Sequence, residues 1–227
     1  MQGDIAQLKN AIEHTLLKPD AQKADICTLA QEAIANNFFG VCVNSSFVEI
    51  AKKELALSNV KLVCVISFPL GAVDFESKAF ETDRAIKNGA DEVDMVIHLG
   101  ALKAKDTAWV KKDIAAVVRA AQGHPVKVII ETALLNNEEK TLACILSAEA
   151  GAHFVKTCTG FSGGSATVAD IELMKKAVQG LCKIKASGGI KTTQLAYELL
   201  AAGASRLGTS SGVSLVAGTQ NTMSGSY

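Results

Sequence analysis

Two lysines sit in apolar runs where an ammonium group is costly to keep. Lys156 lies in Phe154-Val155-Lys156-Thr157 and is followed by a glycine-serine loop through Cys158, Thr159, Gly160 and on to Ser165. Lys185 lies in Lys183-Ile184-Lys185-Ala186-Ser187-Gly188-Gly189-Ile190. With the period of two that a strand imposes, Phe154, Lys156 and Cys158 share one face, as do Lys183 and Lys185. Strands this apolar are covered on both faces, so each lysine must be paired, lose its proton or snorkel to solvent at the strand end. An uncharged lysine attacks an aldehyde or ketone and forms a Schiff base. A second ammonium ~5 Å away in an effective dielectric near 20 contributes roughly 3 kcal/mol of repulsion, which favours that loss of charge.

Other polar residues interrupt apolar runs in the same way. Asp94 lies inside Glu92-Val93-Asp94-Met95-Val96-Ile97-His98 and shares a face with Val96 and His98, which points His98 at the same cavity. A buried carboxylate must be paired or hydrogen-bonded, so Asp94 is either a proton-handling group or one half of a structural ion pair with a lysine. Glu13 and Thr15 share a face in Ile12-Glu13-His14-Thr15-Leu16, and Cys42 and Asn44 do so in Val41-Cys42-Val43-Asn44.

These residues are carried by an alternation of apolar runs and amphipathic stretches. Strands are expected at 12–16, 40–44, 62–67, 92–98, 126–131, 154–157, 183–186 and 206–208. Helices are expected at 4–10, 21–36, 46–57, 75–88, 106–121, 137–150, 168–179, 192–202 and 211–217. Glycine-alanine stops at Gly89, Gly151 and Gly203 each lead from a helix into a strand. Such alternation implies parallel pairing through right-handed crossovers, and eight units in 227 residues fit a single closed (β/α)8 TIM barrel spanning 1–227, with a short N-terminal helix and a flexible, disordered tail over 218–227. A doubly wound open sheet is the alternative, but no Gly-x-Gly-x-x-Gly follows the first strand. In a barrel the chemistry belongs at the carboxyl ends of the strands. Lys156 and Lys185 close theirs, whereas Lys61 and Lys127 open theirs and are expected in solvent at the opposite face.

The last two strands run into Ser187-Gly188-Gly189-Ile190-Lys191-Thr192-Thr193 and Gly208-Thr209-Ser210-Ser211-Gly212, each just before a helix. Glycines that let the backbone approach, hydroxyl and amide donors and the positive end of a helix together suit a phosphate, at the place where barrel enzymes often bind one.

Composition narrows the function further. Lys+Arg and Asp+Glu balance at 23 each, so no global field draws nucleic acid or an anionic membrane. The residues are 48% hydrophobic and only 5% aromatic, yet no run of about 18 apolar residues is long enough to span a bilayer. Met1 to Leu8 lacks the pattern of a signal peptide, and six scattered cysteines without a C-x-x-C pair read as reduced thiols, so a cytoplasmic protein is expected. The histidines and cysteines show no metal-ligand spacing.

Taken in order, His14-Thr15-Leu16-Leu17-Lys18-Pro19, Val41 to Asn44, Asp91 to Ile97, Val128-Ile129-Ile130-Glu131-Thr132, Val155-Lys156-Thr157 with Thr159-Gly160, and Lys185 to Ile190 resemble the deoxyribose-phosphate aldolases, class I aldolases, over almost the whole chain. The resemblance implies reversible cleavage of 2-deoxy-D-ribose 5-phosphate into D-glyceraldehyde 3-phosphate and acetaldehyde, with no metal or organic cofactor, in a homodimer. It makes Lys156 the Schiff-base lysine, Lys185 the neighbour that eases its deprotonation and Asp94 the carboxylate that moves protons through a bound water, with Glu13 and Thr15 helping to position that relay. It places Thr159, Gly160, Gly188, Gly189, Ile190, Gly208, Thr209, Ser210 and Ser211 around the substrate and its phosphate. It sets Cys42 where aldehyde-derived products can be trapped, and makes the terminal Tyr227 a candidate assistant in proton transfer. The chain departs from the family pattern at Glu13, where aspartate is expected, at Cys158, where serine is usual, and at His98, where asparagine is common. The remaining alternatives are a phosphate-binding barrel isomerase with Asp94 or Glu13 as base, and an inactive binding barrel.

Overall fold

The computed structural model describes residues 4–218, so Tyr227 and the expected tail beyond Gly218 lie outside the described residues. Eight strands close into a parallel barrel in chain order: β1 (Ile12–Leu16), β2 (Gly40–Val43), β3 (Lys61–Ile66), β4 (Glu92–Val96), β5 (Val126–Ile129), β6 (Phe154–Lys156), β7 (Lys183–Ser187) and β8 (Arg206–Thr209). Pairing of Glu13 with Gly208 and of His14 with Thr209 joins the last strand to the first. The expected (β/α)8 barrel is therefore the observed one.

Around it run α1 (Ile5–Ala11), α2 (Lys23–Asn36), α3 (Val48–Glu54), α4 (Phe75–Lys87), α5 (Leu99–Lys103), α6 (Thr107–Ala120), α7 (Asn137–Glu149), α8 (Val168–Val178), α9 (Thr193–Ala202) and α10 (Gly212–Ala217). Side-chain oxygens start many of them by accepting from a free backbone N–H: Asp74 from Ser77, Asp106 from Trp109, Asn136 from Glu139 and Thr192 from Leu195. Gly89, Gly151 and Gly203 all turn at positive φ where the sequence places helix stops. The short helix α5 is an addition to the expected set, since 99–105 reads as the connection between the strand 92–98 and the helix 106–121.

Alternation along the strands divides the apolar residues into two sets. Val41, Val43, Leu62, Cys64, Val93, Met95, Val126, Val128, Val155, Ile184 and Leu207 face outward into the main core beneath the helices. Burying each such aliphatic side chain contributes roughly 1.5–3 kcal/mol, so this outer layer is what holds the barrel closed. The inward set is only partly apolar: Leu17, Cys42, Val63 and Val65 form a small separate cluster under Phe68. Beside Val96, Ile129 and Phe154, the interior also holds the charged residues Glu13, Asp94, Lys127, Lys156 and Lys185, whose burial depends on pairing.

Candidate active site

Asp94 is fully buried on β4, and three lysines converge on its carboxylate. Lys127 Nζ donates to Oδ1 at 2.8 Å, while Lys156 Nζ at 2.9 Å and Lys185 Nζ at 2.6 Å both donate to Oδ2. Register explains the meeting: Asp94 pairs with Lys127 across β4 and β5, and Lys156 pairs with Lys185 across β6 and β7. The amines of Lys156 and Lys185 are thus neighbours that share one oxygen, as the sequence led us to expect, but a carboxylate stands between them. Burial opposes the charge on Asp94, and the three ammonium groups outweigh it, holding the carboxyl well below the usual carboxylate range.

Lys127 corrects one expectation. It is completely buried rather than solvated, with its Nζ 2.6 Å from Glu92, 2.8 Å from Asp94 and 3.6 Å from Glu13. A residue's rank within its strand is not its height in the barrel, because the strands are staggered. Although second in β5, Lys127 lies level with Asp94. Lys61 is exposed, as expected, and so is Lys183.

Glu13 is also fully buried and accepts a hydrogen bond from Lys185 through Oε2, while Oε1 lies 3.6 Å from Lys127 and 3.9 Å from Arg206 Nε. Burial disfavours the ammonium of Lys185, but Asp94 and Glu13 more than offset this and hold it above the ordinary lysine range. Lys127 is raised on the same balance. Gly208 leaves room for this network: a Cβ there would come within 3.1 Å of Lys185 Cε and of Ser187 Cβ.

Two hydroxyls fix the carboxyl ends of β6 and β7 just above the lysines. Thr157 Oγ1 donates to Ser187 O at 2.7 Å and accepts from Ser187 N at 2.9 Å, and Ser187 Oγ donates to Cys158 O at 2.6 Å. Beyond them a cleft of about 230 Å³ is lined by Gly160, Gly189, Ile190, Thr209, Ser210 and Ser211, joined by Gly163, Gly164, Ser165 and Lys191. Gly188 supplies a backbone carbonyl to Ala166 N at 2.9 Å, which lays one loop on the other. Gly189, at φ 68°, must remain glycine, since a Cβ would meet Ser165 Oγ at 2.3 Å. Most of the residues expected around a phosphate are therefore brought together here.

The remaining candidates separate. Cys42 is fully buried, and its burial pushes the thiol up to about 11, with Lys185, Asp94, Lys156 and Glu13 all close enough to act on it electrostatically. The Thr15 hydroxyl donates to Glu13 O at 2.8 Å, and Asn44 Nδ2 ties β2 to Leu17 O at 3.3 Å. His98 is not in the cavity. β4 ends at Val96, and His98 caps α5, with Nδ1 accepting from Ala101 N and its ring 4.3 Å from that of Trp109. Cys158 lies past the end of β6 and meets Thr132 Oγ1 at 3.2 Å. Among the described residues no group of three or more His, Cys, Asp or Glu side chains is arranged to hold a metal ion.

A family model described as DeoC/LacD family aldolase matches residues 11–216. The chain belongs to the DeoC/LacD aldolase family. A deoxyribose-phosphate aldolase of Bdellovibrio bacteriovorus is 59% identical over 93% of this chain and 96% of its own length. One from Brevibacillus brevis is 56% identical over 94% and 97%. Among solved structures, a deoxyribose phosphate aldolase from Aeropyrum pernix, described as a unique tetramer, superposes with a TM-score of 0.88 at 31% identity, covering 94% of this chain and 91% of that one.

In this DeoC/LacD aldolase the buried charges that the sequence does not announce include Lys127 and Glu131 near the site, and Lys78 and Asp113 beneath the helices. Glu131, noticed only as part of a matching run, leaves the strand in the left-handed region at φ 57° and turns its carboxylate onto the loop after β6. For Lys127 and Glu131 a signal is present all the same, since each stands beside an apolar run, Val128-Ile129-Ile130, where a charge needs a partner.

Proposed function

We propose that this chain reversibly cleaves 2-deoxy-D-ribose 5-phosphate into D-glyceraldehyde 3-phosphate and acetaldehyde through a Schiff base on Lys156. The observation that carries this reading is the charge balance around Asp94. One connected set of ion pairs contains the carboxylates Glu13, Glu92 and Asp94 and the cations Lys127, Lys156, Lys185 and Arg206. It holds one cation more than it has anions. Arg206 stays charged, and Lys127 and Lys185 are held charged by their carboxylates. Lys156, whose single ion pair is with Asp94, is the least tied of these cations and the amine assigned to the Schiff base.

As the free amine, the Lys156 nitrogen adds to the aldehyde carbon of the open-chain sugar, and water leaves to give an iminium. Loss of the proton from the hydroxyl on C3 breaks the C2–C3 bond, and its electron pair moves toward the iminium nitrogen, which acts as the sink. D-glyceraldehyde 3-phosphate departs. The enamine takes a proton at C2, and water then releases acetaldehyde and the free amine. Asp94 steers these protons through a bound water, Lys185 fixes its position and Glu13 fixes Lys185. The cleft around Gly189, Thr209 and Ser211 receives the phosphate, and its glycine turns, hydroxyls and Lys191 support that assignment.

We place the enzyme in the cytoplasm as a homodimer. Unpaired, mostly buried cysteines support the first. Exposed apolar side chains such as Leu70 and Phe80 support a self-associating surface.

The test is borohydride reduction in the presence of acetaldehyde, followed by mass spectrometry. An N-ethyl group on Lys156, and on no other lysine of the barrel, is the expected result. Substrate binding without any adduct would instead favour proton abstraction by Asp94 or Glu13.

A further inference from the structure

We infer that Glu131 is a positioning residue that sets the loop after β6 for the phosphate end of the substrate. Its carboxylate is 1% exposed. Thr159 N donates to its two oxygens at 3.2 and 3.3 Å, Thr159 Oγ1 donates to Oε2, and Ser162 Oγ donates to Oε2 at 3.3 Å. Thr159 Oγ1 in turn accepts from Phe161 N at 3.1 Å. One carboxylate thereby fixes Thr159, Phe161 and Ser162, and the same loop continues through Gly160, Gly163, Gly164 and Ser165, which line the cleft. Both oxygens are thus turned to the loop rather than to the lysines around Asp94.

The backbone supports this assignment. Glu131 adopts φ 57°, a left-handed conformation that costs a non-glycine residue energy unless its surroundings fix it. That turn is what takes its side chain off the strand and across to β6. The following N–H groups hold the same junction, since Thr132 N donates to Thr157 O at 3.1 Å. The loop so fixed begins three residues after Lys156, and its far wall meets the β7 loop at Gly188 and Gly189. A carboxylate suits the task better than an amide because it accepts every one of these bonds, and hydrogen bonds to a charged acceptor are about twice as strong as neutral ones.

This inference rests on the reading of the cleft as a phosphate site, and the experiment separates the two. Steady-state kinetics of wild type, Glu131→Gln and Ser162→Ala would be measured with 2-deoxyribose 5-phosphate and with unphosphorylated 2-deoxyribose, together with borohydride trapping by acetaldehyde, which carries no phosphate. For Glu131→Gln the expected result is a KM for the phosphorylated sugar raised about tenfold or more, with kcat changed less than about threefold. Trapping on Lys156 stays at the wild-type rate, and the preference for the phosphorylated sugar shrinks by the same factor as KM rises. Ser162→Ala, which removes one 3.3 Å contact, raises KM less. A wild type with no preference for the phosphorylated sugar would sink the cleft reading itself. A wild type that has the preference, beside a Glu131→Gln enzyme that folds with an unchanged thermal midpoint and keeps it, overturns the inference. So does a variant in which kcat and imine trapping fall while KM stays put. Should Glu131→Gln not fold, Ser162→Ala decides alone, and an unchanged KM there counts against the assignment.

Discussion

Asp94 is a carboxylate met by three lysines, and of these Lys185 is the one whose removal is most informative. Lys185 donates to Oδ2 of Asp94 at 2.6 Å and to Glu13, so it neutralises two carboxylates at once. Replacing it with methionine keeps the apolar stem and removes the cation. Asp94 and Glu13 are then short of positive charge, and Lys156 becomes the ion that the cavity requires. For Lys185→Met we expect kcat/KM to fall by about 10²-fold or more, the range for losing a group that tunes acid–base and nucleophilic chemistry. The residual imine formation should need a higher pH than in wild type. The measurement is the pH dependence of acetaldehyde trapping on Lys156, and a variant profile that overlays the wild-type one would refute the charge-balance argument. Cys158 bears less on the chemistry, since its sulfur meets Thr132 rather than a lysine. Cys158→Ser is expected to leave imine formation intact.

Between residue and barrel stand the ties that hold each strand's carboxyl end at its height. β4 is held from outside by Lys78 of α4, which is fully buried and donates to Val96 O at 2.9 Å and to Asp113 Oδ2 of α6 at 2.7 Å. Burial pushes the Asp113 carboxyl up, and Lys78 only partly opposes it, so the pair is costly to break from one side. Lys78→Met leaves a buried, unpaired Asp113 and is expected to cost about 3–5 kcal/mol in urea unfolding, whereas Lys78→Met with Asp113→Leu recovers most of that loss. Additive losses in the double variant would rule the pairing out as the cause. The element scale also shows what could be read in advance. Asp94, Lys156 and Lys185 were legible because a charge inside an apolar run must be explained, and the eight strands because the helix, Gly-Ala, strand unit recurs. Lys127 was hidden by the stagger of the strands, which one strand read alone does not reveal. The direction of His98 and the turn at Glu131 are hidden for a shared reason: the expected strands 92–98 and 126–131 stop short, at Val96 and Ile129, and the period-two reading of faces stops with them.

Taken whole, the molecule encloses a paired ionic interior in an apolar coat, and each part leaves its mark on stability as pH changes. Asp94 has its folded-state value depressed, so its contribution is present above the ordinary 3.8 and is lost as pH falls through the folded value. The acid limb therefore begins below about pH 4 on this account. The alkaline limb starts elsewhere. Cys42 and Cys144 are buried thiols raised from 9.0 to about 11 and about 12, with burial the largest cause in each. A group whose folded value is raised stabilises fully below its unfolded value and loses that contribution as pH rises through the folded one. Their contribution accordingly drains away from pH 9 upward. Lys127 and Lys185 follow the same sign, but their loss begins only above the ordinary lysine value of 10.5. The expected curve of unfolding free energy, measured by urea titration under reducing conditions, is flat from about pH 5 to 9 and falls between pH 9 and 10.5 through the thiols, at up to about 1.4 kcal/mol per pH unit for each. Cys42→Ala should make that first decline shallower without moving the later one. If the slope between pH 9 and 10.5 is the same in wild type and variant, Cys42 has no part in the onset, and the decline there belongs to the other buried thiols, Cys144 and Cys182 among them.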